Sequence, residues 1–257
     1  MADYKFITAT VADGLATLTI NRAPLNVLDI ATMEEMDAAL AVLAPDPTVR
    51  LLKIAAAGEK AFSAGVEVAD HTPEKVDRMI TIFHSMIRKL QAFPMPTLAA
   101  VHGAALGGGL EVALVCDMIV AAAGVKLGQP EIKLAVFAPV AAVLLPRLLP
   151  PAWANELLYG GGVITAEAAL QYGLVNRVFP RESFGEETRA FAKPFLELSR
   201  AALGFTKKAI LAAAGASFAD RLAVVEKIYL RELMDSADSQ EGLAAFLSKR
   251  APAWQHR

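Results

Sequence analysis

The sequence predicts an α/β protein, with a core in which short buried strands alternate with helices and a helical C-terminal region. Two patterns indicate the core: short β-rich apolar runs, and longer stretches with apolar residues at helical spacing. A third observation marks the tail, because no segment from Glu182 onward has the pattern of a strand. A chain of 257 residues, 55% of them hydrophobic, is long enough for one large domain and a smaller appendage.

Turn chemistry and periodicity predict the first elements. Residues 6–10 and 15–21 are β-rich and are joined through Asp13-Gly14, a dipeptide typical of hairpin turns. A helix over 31–43 and a buried strand over 50–55 follow.

The middle of the chain continues the alternation. A long helix is predicted over 73–93, and the prolines that follow it end it. A buried strand over 97–101 then runs into a glycine-rich turn, a helix over 109–115 and a strand over 117–122.

Helices are next predicted over 140–149, 152–158 and 165–172, before a last strand over 174–179. For the helix over 165–172, Thr165 is a typical N-terminal cap and Gly173 a typical C-terminal cap.

The tail is predicted to be helical throughout. Its final helix is expected to start at Asp238, with Glu241 completing a capping box. We therefore divide the chain into a core, residues 1–193, and a helical region, residues 194–257. One face of the tail carries the apolar residues Leu222, Val225, Ile228, Tyr229 and Leu233.

Composition excludes several classes of function. Lysine and arginine number 25 against 27 acids, without blocks of like charge, so neither nucleic acid nor an anionic membrane is an expected partner. The apolar runs are too interrupted for the ~20 residues of a membrane span, and the N-terminus lacks the pattern of a signal peptide. The single cysteine, Cys116, excludes an intramolecular disulfide and fits a reducing cytoplasm. The partner is expected to be a small molecule, and the high apolar content favours contacts between subunits.

A glycine-rich turn is the strongest functional signal. Residues 101–111 place three consecutive glycines at the start of a helix and a carboxylate, Glu111, in its first turn. Glycine lets the backbone N–H groups face a ligand, and the helix dipole favours negative charge there. Phe62-Ser63-Ala64-Gly65-Val66 offers a second N–H, so Val66 and Gly108 are candidates for an oxyanion hole that stabilises an enolate.

Glu131, in Gly128-Gln129-Pro130-Glu131, provides a second carboxylate. Two neighbouring carboxylates can divide acid and base work because like charges push their titrations apart. The helix N-terminus is expected to favour ionised Glu111, which makes Glu111 the predicted base and Glu131 the predicted acid. Each feature alone also fits a structural role, as a packing glycine or a helix cap.

At these residues the chain resembles the crotonase family, the enoyl-CoA hydratases and isomerases. The likeness runs nearly end to end and includes segments 21–26, 60–65, 103–117, 128–134, 173–176 and 246–250. It implies a ββα spiral core, a C-terminal trimerisation region and assembly as a homotrimer or homohexamer. It also assigns Glu111 and Glu131 as catalytic residues and the N–H groups of Val66 and Gly108 as the oxyanion hole.

The resemblance further implies that coenzyme A arrives as part of an acyl-CoA substrate, with no other cofactor and no metal. Lys249 matches a lysine that reaches a nucleotide phosphate in the family. The remaining positions expected to line the substrate groove are Asn26, Val27, Leu28, Lys60, Ala61, Phe62, Ala64, Gly107 and Pro139.

Pro139 is a departure from the family pattern. It replaces a glycine whose N–H helps to hold the attacking water, and proline has no N–H. At this position and in segment 63–71, the chain resembles hydratases of cyclic dienoyl-CoA thioesters.

Three alternatives stay open at this point. A double-bond isomerase would need only Glu131. An RNA-binding or scaffolding member of the same fold, which would use its surface rather than a pocket, is disfavoured by the balanced charge. A Rossmann dehydrogenase is disfavoured because the glycines do not follow Gly-x-Gly-x-x-Gly.

Overall fold

The computed structural model describes residues 3–212 and 228–257. Its larger sheet has six strands in the order β1-β2-β3-β5-β7-β10. The first two strands form the predicted antiparallel hairpin, and every other pairing in this sheet is parallel. The strands are β1 Ile7–Ala12, β2 Leu15–Ile20, β3 Leu51–Ala56, β5 Thr97–Val101, β7 Met118–Ala122 and β10 Arg177–Phe179.

A second sheet of four short strands, in the order β4-β6-β8-β9, was not predicted from the sequence. Its strands have three residues each, too few to show an alternating pattern. They are β4 Ala61–Ser63, β6 Ala104–Leu106, β8 Lys126–Gly128 and β9 Val163–Thr165.

The helices agree with the predicted ones apart from their ends. The long helix is shorter than expected, and α3 begins at Gly108. Thr165 caps α6 as predicted, its side chain accepting a hydrogen bond from Ala168 N. The helices are α1 Ile30–Leu43, α2 Val76–Gln91, α3 Gly108–Val115, α4 Pro139–Leu148, α5 Pro151–Gly160, α6 Ala166–Gln171, α7 Phe184–Leu196, α8 Arg200–Ala212 and α9 Ala237–Leu247.

The core is a ββα spiral. The chain passes from the large sheet to the small sheet and then to a helix three times in succession, as β3-β4-α2, β5-β6-α3 and β7-β8-α4. Because the strands within each sheet are parallel across these turns, their carboxyl ends lie at a common edge, where the segments that follow β4, β6 and β8 come together.

An ion pair between a buried lysine and an exposed aspartate fastens α8 to the core. Lys207 Nζ donates to Asp117 Oδ2 at 2.7 Å and to Met95 O at 3.2 Å, and the Lys207 side chain is almost fully buried. The same Asp117 oxygen accepts from the backbone N–H and the hydroxyl of Thr97. The start of the tail is thereby attached to the beginning of two core strands.

The last helix begins near Asp238 as predicted, but the expected capping box is wrong. Ser236 Oγ accepts from Ser239 N at 3.2 Å, whereas the Glu241 carboxylate pairs with Arg250. Asp238 instead accepts hydrogen bonds from the C-terminal residues.

Two further predictions concern the boundary of the tail and its apolar face. Pro194 lies inside α7, so the division after residue 193 falls within a helix. Of the predicted apolar face, Leu222 and Val225 lie outside the described residues. No helix in the described part of the chain is long and apolar enough to cross a membrane.

Candidate active site

The glycine turn lies where β6 leads into α3. Gly107 has φ +54° and ψ −132°, a conformation that is essentially restricted to glycine, and its N–H donates to Gly128 O at 2.9 Å. The Glu111 N–H then donates to Gly107 O at 3.0 Å and starts the helix. The turn therefore fixes where both Gly108 N–H and Glu111 lie.

The N–H groups of Val66 and Gly108 lie next to each other. A β-carbon built on Gly108 would be 3.4 Å from Val66 N, and one built on Gly65 would be 3.5 Å from Gly108 N. Leu28 bonds to the residues on either side of Val66, so the Val66 N–H faces away from Leu28. Within the described residues neither N–H has a hydrogen-bond acceptor.

Glu111 is 2% exposed. Its Oε1 accepts from Ala141 N at 2.8 Å, at the N-terminus of α4. Burial, with a smaller contribution from the charge of Glu131, nevertheless raises the pKa of Glu111 to about 7. The expectation that the helix N-terminus favours ionised Glu111 is therefore wrong, because desolvation outweighs the stabilisation from the N–H groups.

Glu131 is half-buried and lies against the glycine turn. A β-carbon at position 107 would be only 2.6 Å from Glu131 Oε1, so this carboxylate occupies the space left by a missing side chain. Burial raises the pKa of Glu131, while its own backbone N–H and the charge of His71 oppose that rise. The charge of Glu131 contributes to the raised pKa of Glu111, so the two carboxyls lie near each other.

Gln129 positions Glu131, a role that was not predicted. Its side chain is buried, and with the amide nitrogen facing the carboxylate it donates to both Glu131 oxygens, at 3.1 and 3.0 Å. A glutamine two residues before the candidate acid, in the same turn, was the available sequence signal.

Pro139 is the first residue of α4, with Ala138 as its cap. Because proline has no N–H, the first donor that α4 can offer comes from Val140, and the hydrogen bond at 2.8 Å comes from Ala141. The N-terminus of α4 therefore holds Glu111 itself through donors beyond position 139.

The predicted coenzyme A residues divide into two groups. Asn26, Leu28 and Phe62 are 0% exposed, and their predicted contact with coenzyme A stays a prediction. Asn26 holds the loop together, its Nδ2 donating to Ala57 O and Ala61 O, both at 2.8 Å.

The other predicted groove residues differ in their access to solvent. Ala61 and Gly107 are buried, Val27, Ala64 and Pro139 are half-buried, and Lys60 and Lys249 are exposed.

The fold and the site define a class: a ββα-spiral protein with paired main-chain donors next to two carboxyl groups. The chain belongs to the enoyl-CoA hydratase/isomerase family, whose model matches residues 10–257.

Similar proteins cover almost the whole chain. A cyclohexa-1,5-dienecarbonyl-CoA hydratase from Thauera aromatica is 36% identical, over 95% of this chain and 93% of that protein. A crotonyl-CoA hydratase from Syntrophomonas wolfei is 34% identical, over 96% of each. The solved structure of an enoyl-CoA hydratase from Bacillus anthracis superposes with a TM-score of 0.93 at 30% identity, covering 98% of this chain and 100% of that one.

Proposed function

We propose that the protein is a hydro-lyase that adds water to the double bond of a conjugated enoyl-CoA thioester. The observation that carries the proposal is the adjacency of the free N–H groups of Val66 and Gly108, with Glu111 and Glu131 beside the same glycine turn. The named activities of the relatives support the same reaction class.

In the proposed reaction, the thioester oxygen accepts hydrogen bonds from Val66 N and Gly108 N. The oxygen of water bonds to the β-carbon while Glu111 takes one of its protons, and the π electrons of the double bond move onto the thioester oxygen as an enolate. The enolate then collapses, and the α-carbon takes a proton from Glu131. A base with a pKa of about 7 is well matched to this work at neutral pH.

Substituting Glu111 by Gln tests the two-carboxyl mechanism. An enzyme in which both carboxyls act should lose most of its hydration, whereas an isomerase that carries a proton between carbons on Glu131 alone should lose much less. A Glu111→Gln variant with undiminished hydration would exclude the mechanism. Glu131→Gln serves as the matched variant, since both reactions require that carboxyl.

The acyl group is proposed to be a cyclic dienoyl ring. The support is the similarity to the Thauera hydratase together with Pro139, which removes a donor for the attacking water. The test is a comparison of kcat/KM for cyclohexa-1,5-dienecarbonyl-CoA and crotonyl-CoA. Faster turnover of crotonyl-CoA would count against the cyclic substrate.

We further propose that the chain forms a homotrimer or homohexamer, with residues 194–257 contributing to the contacts. Large apolar side chains are exposed along α4, α5 and the residues that follow them, and contacts between subunits would cover them. Sedimentation equilibrium measures the mass, and a monomer at micromolar concentration would contradict the proposal. The exposed residues are Val143, Leu148, Trp153, Tyr159, Val163 and Leu170.

A further inference from the structure

The buried carboxylate of Asp70 joins the segment that carries the Val66 N–H to the start of α1. Asp70 is 6% exposed and ends a 3₁₀ turn, Val68–Asp70, that begins two residues after Val66. Its Oδ2 accepts from Ile30 N at 3.2 Å. Ile30 is the first residue of α1, so no carbonyl within the helix accepts its N–H, and Asp70 supplies the missing acceptor.

Main-chain bonds attach the same two segments to each other at Leu28. Leu28 N donates to Gly65 O at 2.9 Å, and Glu67 N donates to Leu28 O at 3.1 Å. These bonds lie on either side of Val66 and form an isolated bridge rather than part of a longer strand pairing. Because a short bridge alone leaves the segment free to pivot, the carboxylate of Asp70 adds a second point of attachment beyond it.

Lys75 binds the other oxygen of the Asp70 carboxylate. Its Nζ lies 3.0 Å from Oδ1, while Oδ2 accepts from Ile30 N. Burial acts to raise the pKa of Asp70, but the hydrogen bonds from Lys75 and Ile30 N and the charge of Lys75 lower it below its ordinary value. The carboxylate is therefore ionised at neutral pH, and a charged acceptor forms a stronger hydrogen bond than a neutral one.

We propose that Asp70 is a positioning residue for the oxyanion hole: its hydrogen bond to Ile30 N holds the Val66 N–H in place beside the Gly108 N–H. Nothing in the proposed reaction requires Asp70 to contact the substrate. A donor displaced by as little as about 1 Å stabilises the enolate less, so the attachment affects the chemical step. That effect on turnover rests on the proposed hydration, whereas the attachment of the two segments does not.

Hydrogen–deuterium exchange, measured by mass spectrometry, tests the attachment directly. Asp70→Leu replaces both carboxylate oxygens by methyl groups. The amides of Leu28 and Glu67, which form the bridge beside Val66, should then exchange about 10- to 100-fold faster, the scale for loss of a hydrogen bond to a charged group. Asp70→Asn keeps an oxygen that can accept from Ile30 N, and its exchange should stay within about threefold of the wild type.

Ile30→Pro breaks the same hydrogen bond from the donor side and serves as a second test if Asp70→Leu does not fold. Proline has no N–H, yet it is well accommodated as the first residue of a helix. The bridge amides should exchange faster, as in Asp70→Leu, and the double variant Ile30→Pro/Asp70→Leu should add little because both changes remove one bond.

Glu35→Leu is the matched control. The Glu35 carboxylate also accepts from two main-chain N–H groups, but these belong to Lys5 and Phe6, just before β1. Its loss should leave the exchange of the Leu28 and Glu67 amides unchanged and should not alter turnover.

Hydration kinetics give the second readout. Asp70→Leu should lower kcat about 10-fold and leave KM within about twofold, because an oxyanion donor acts mainly on the transition state, and Asp70→Asn should restore most of kcat. If the wild-type protein hydrates no enoyl-CoA, the proposed function fails while exchange still decides the attachment. Unchanged exchange of the bridge amides in Asp70→Leu and Ile30→Pro would overturn the proposal. Wild-type kcat in Asp70→Leu, or an equal loss of kcat in Asp70→Asn, would also overturn it.

Discussion

Replacing Gly108 by Ala tests whether the two main-chain donors converge. Gly108 opens α3 without a positive φ, so the added methyl group introduces no backbone strain. Its β-carbon would lie 2.7 Å from Val66 Cγ2 and 3.4 Å from both Val66 N and Phe83 Cζ. The methyl group would therefore lie close to the Val66 N–H, where we expect the thioester oxygen to bind.

The expected loss of kcat follows from how much one oxyanion donor stabilises the transition state. Removing one such donor typically lowers kcat by about 10²- to 10³-fold, or about 3 to 4 kcal/mol of transition-state stabilisation. Gly108→Ala should therefore lower kcat by at least about 10²-fold. The overlap with Val66 Cγ2 adds an overpacking cost of about 1–3 kcal/mol to the free energy of unfolding.

The assay follows the loss of ultraviolet absorbance as the conjugated thioester is hydrated, together with urea unfolding of the same preparations. Gly160→Ala is the matched control, because Gly160 ends α5 and its β-carbon would meet nothing within 4 Å. That variant should keep wild-type turnover and match or exceed the wild type in stability, by up to about 1 kcal/mol.

A double variant separates two causes of the loss. Val66→Ala removes the Cγ2 atom that the new methyl group would overlap, but the methyl group still faces the Val66 N–H. The double variant Val66→Ala/Gly108→Ala should therefore regain stability while kcat stays low. Recovery of kcat, or wild-type kcat in a folded Gly108→Ala, would refute the convergence of the two donors.

Three other outcomes are expected. As the pH falls below about 7, kcat/KM should decline because Glu111 becomes protonated. Stability should change in the opposite direction: as the pH rises from 4.5 to 7, the wild type should lose about 3 kcal/mol of unfolding free energy relative to Glu111→Gln, because in that range only the folded carboxyl keeps its proton. Equal pH slopes for the two proteins would contradict this. Gln129→Leu should lower kcat by about 10-fold or more through loss of the donors to Glu131, and unchanged kcat would exclude that role. Pro139→Gly returns an N–H and should raise kcat/KM for crotonyl-CoA relative to the cyclic thioester; an unchanged ratio would remove Pro139 from the account of substrate preference.

The large sheet was predictable because its central strands, β3, β5 and β7, are mostly buried apolar runs, and its first two strands flank the turn dipeptide Asp13-Gly14. The small sheet was not, because strands such as Ala104–Leu106 are too short to have a period, and tertiary pairing holds them in place. Those short strands carry the chain into the site, so the least predictable elements are the ones that bring Val66 and Gly108 together.

The residue types of the site were readable from sequence, but their environments were not. The position of Glu111 in the first turn of α3 was correct, yet its ionisation depends on desolvation by distant segments and on the N-terminus of α4. The same limitation applies to the prediction that Asn26 lines the substrate groove. Its match to the family did not show that both hydrogens of its side-chain amide bond to the loop.

Buried charged side chains are compensated by partners elsewhere in the fold, but less completely in the site. Three other buried charged side chains in the described residues are each compensated: Lys207 by Asp117, Asp70 by Lys75, and Asp238 by Ser199 Oγ and backbone N–H groups. Glu111, equally buried, receives backbone N–H bonds but also the repulsion of a second carboxyl, which keeps its pKa near 7. At neutral pH that arrangement costs stability, about 3 kcal/mol for a pKa raised from 4.5, and packing alone gives no reason to keep a carboxyl there. A proton-transfer group with a pKa near 7 provides such a reason, and the expected gain in stability on Glu111→Gln at neutral pH is the measurable sign of it.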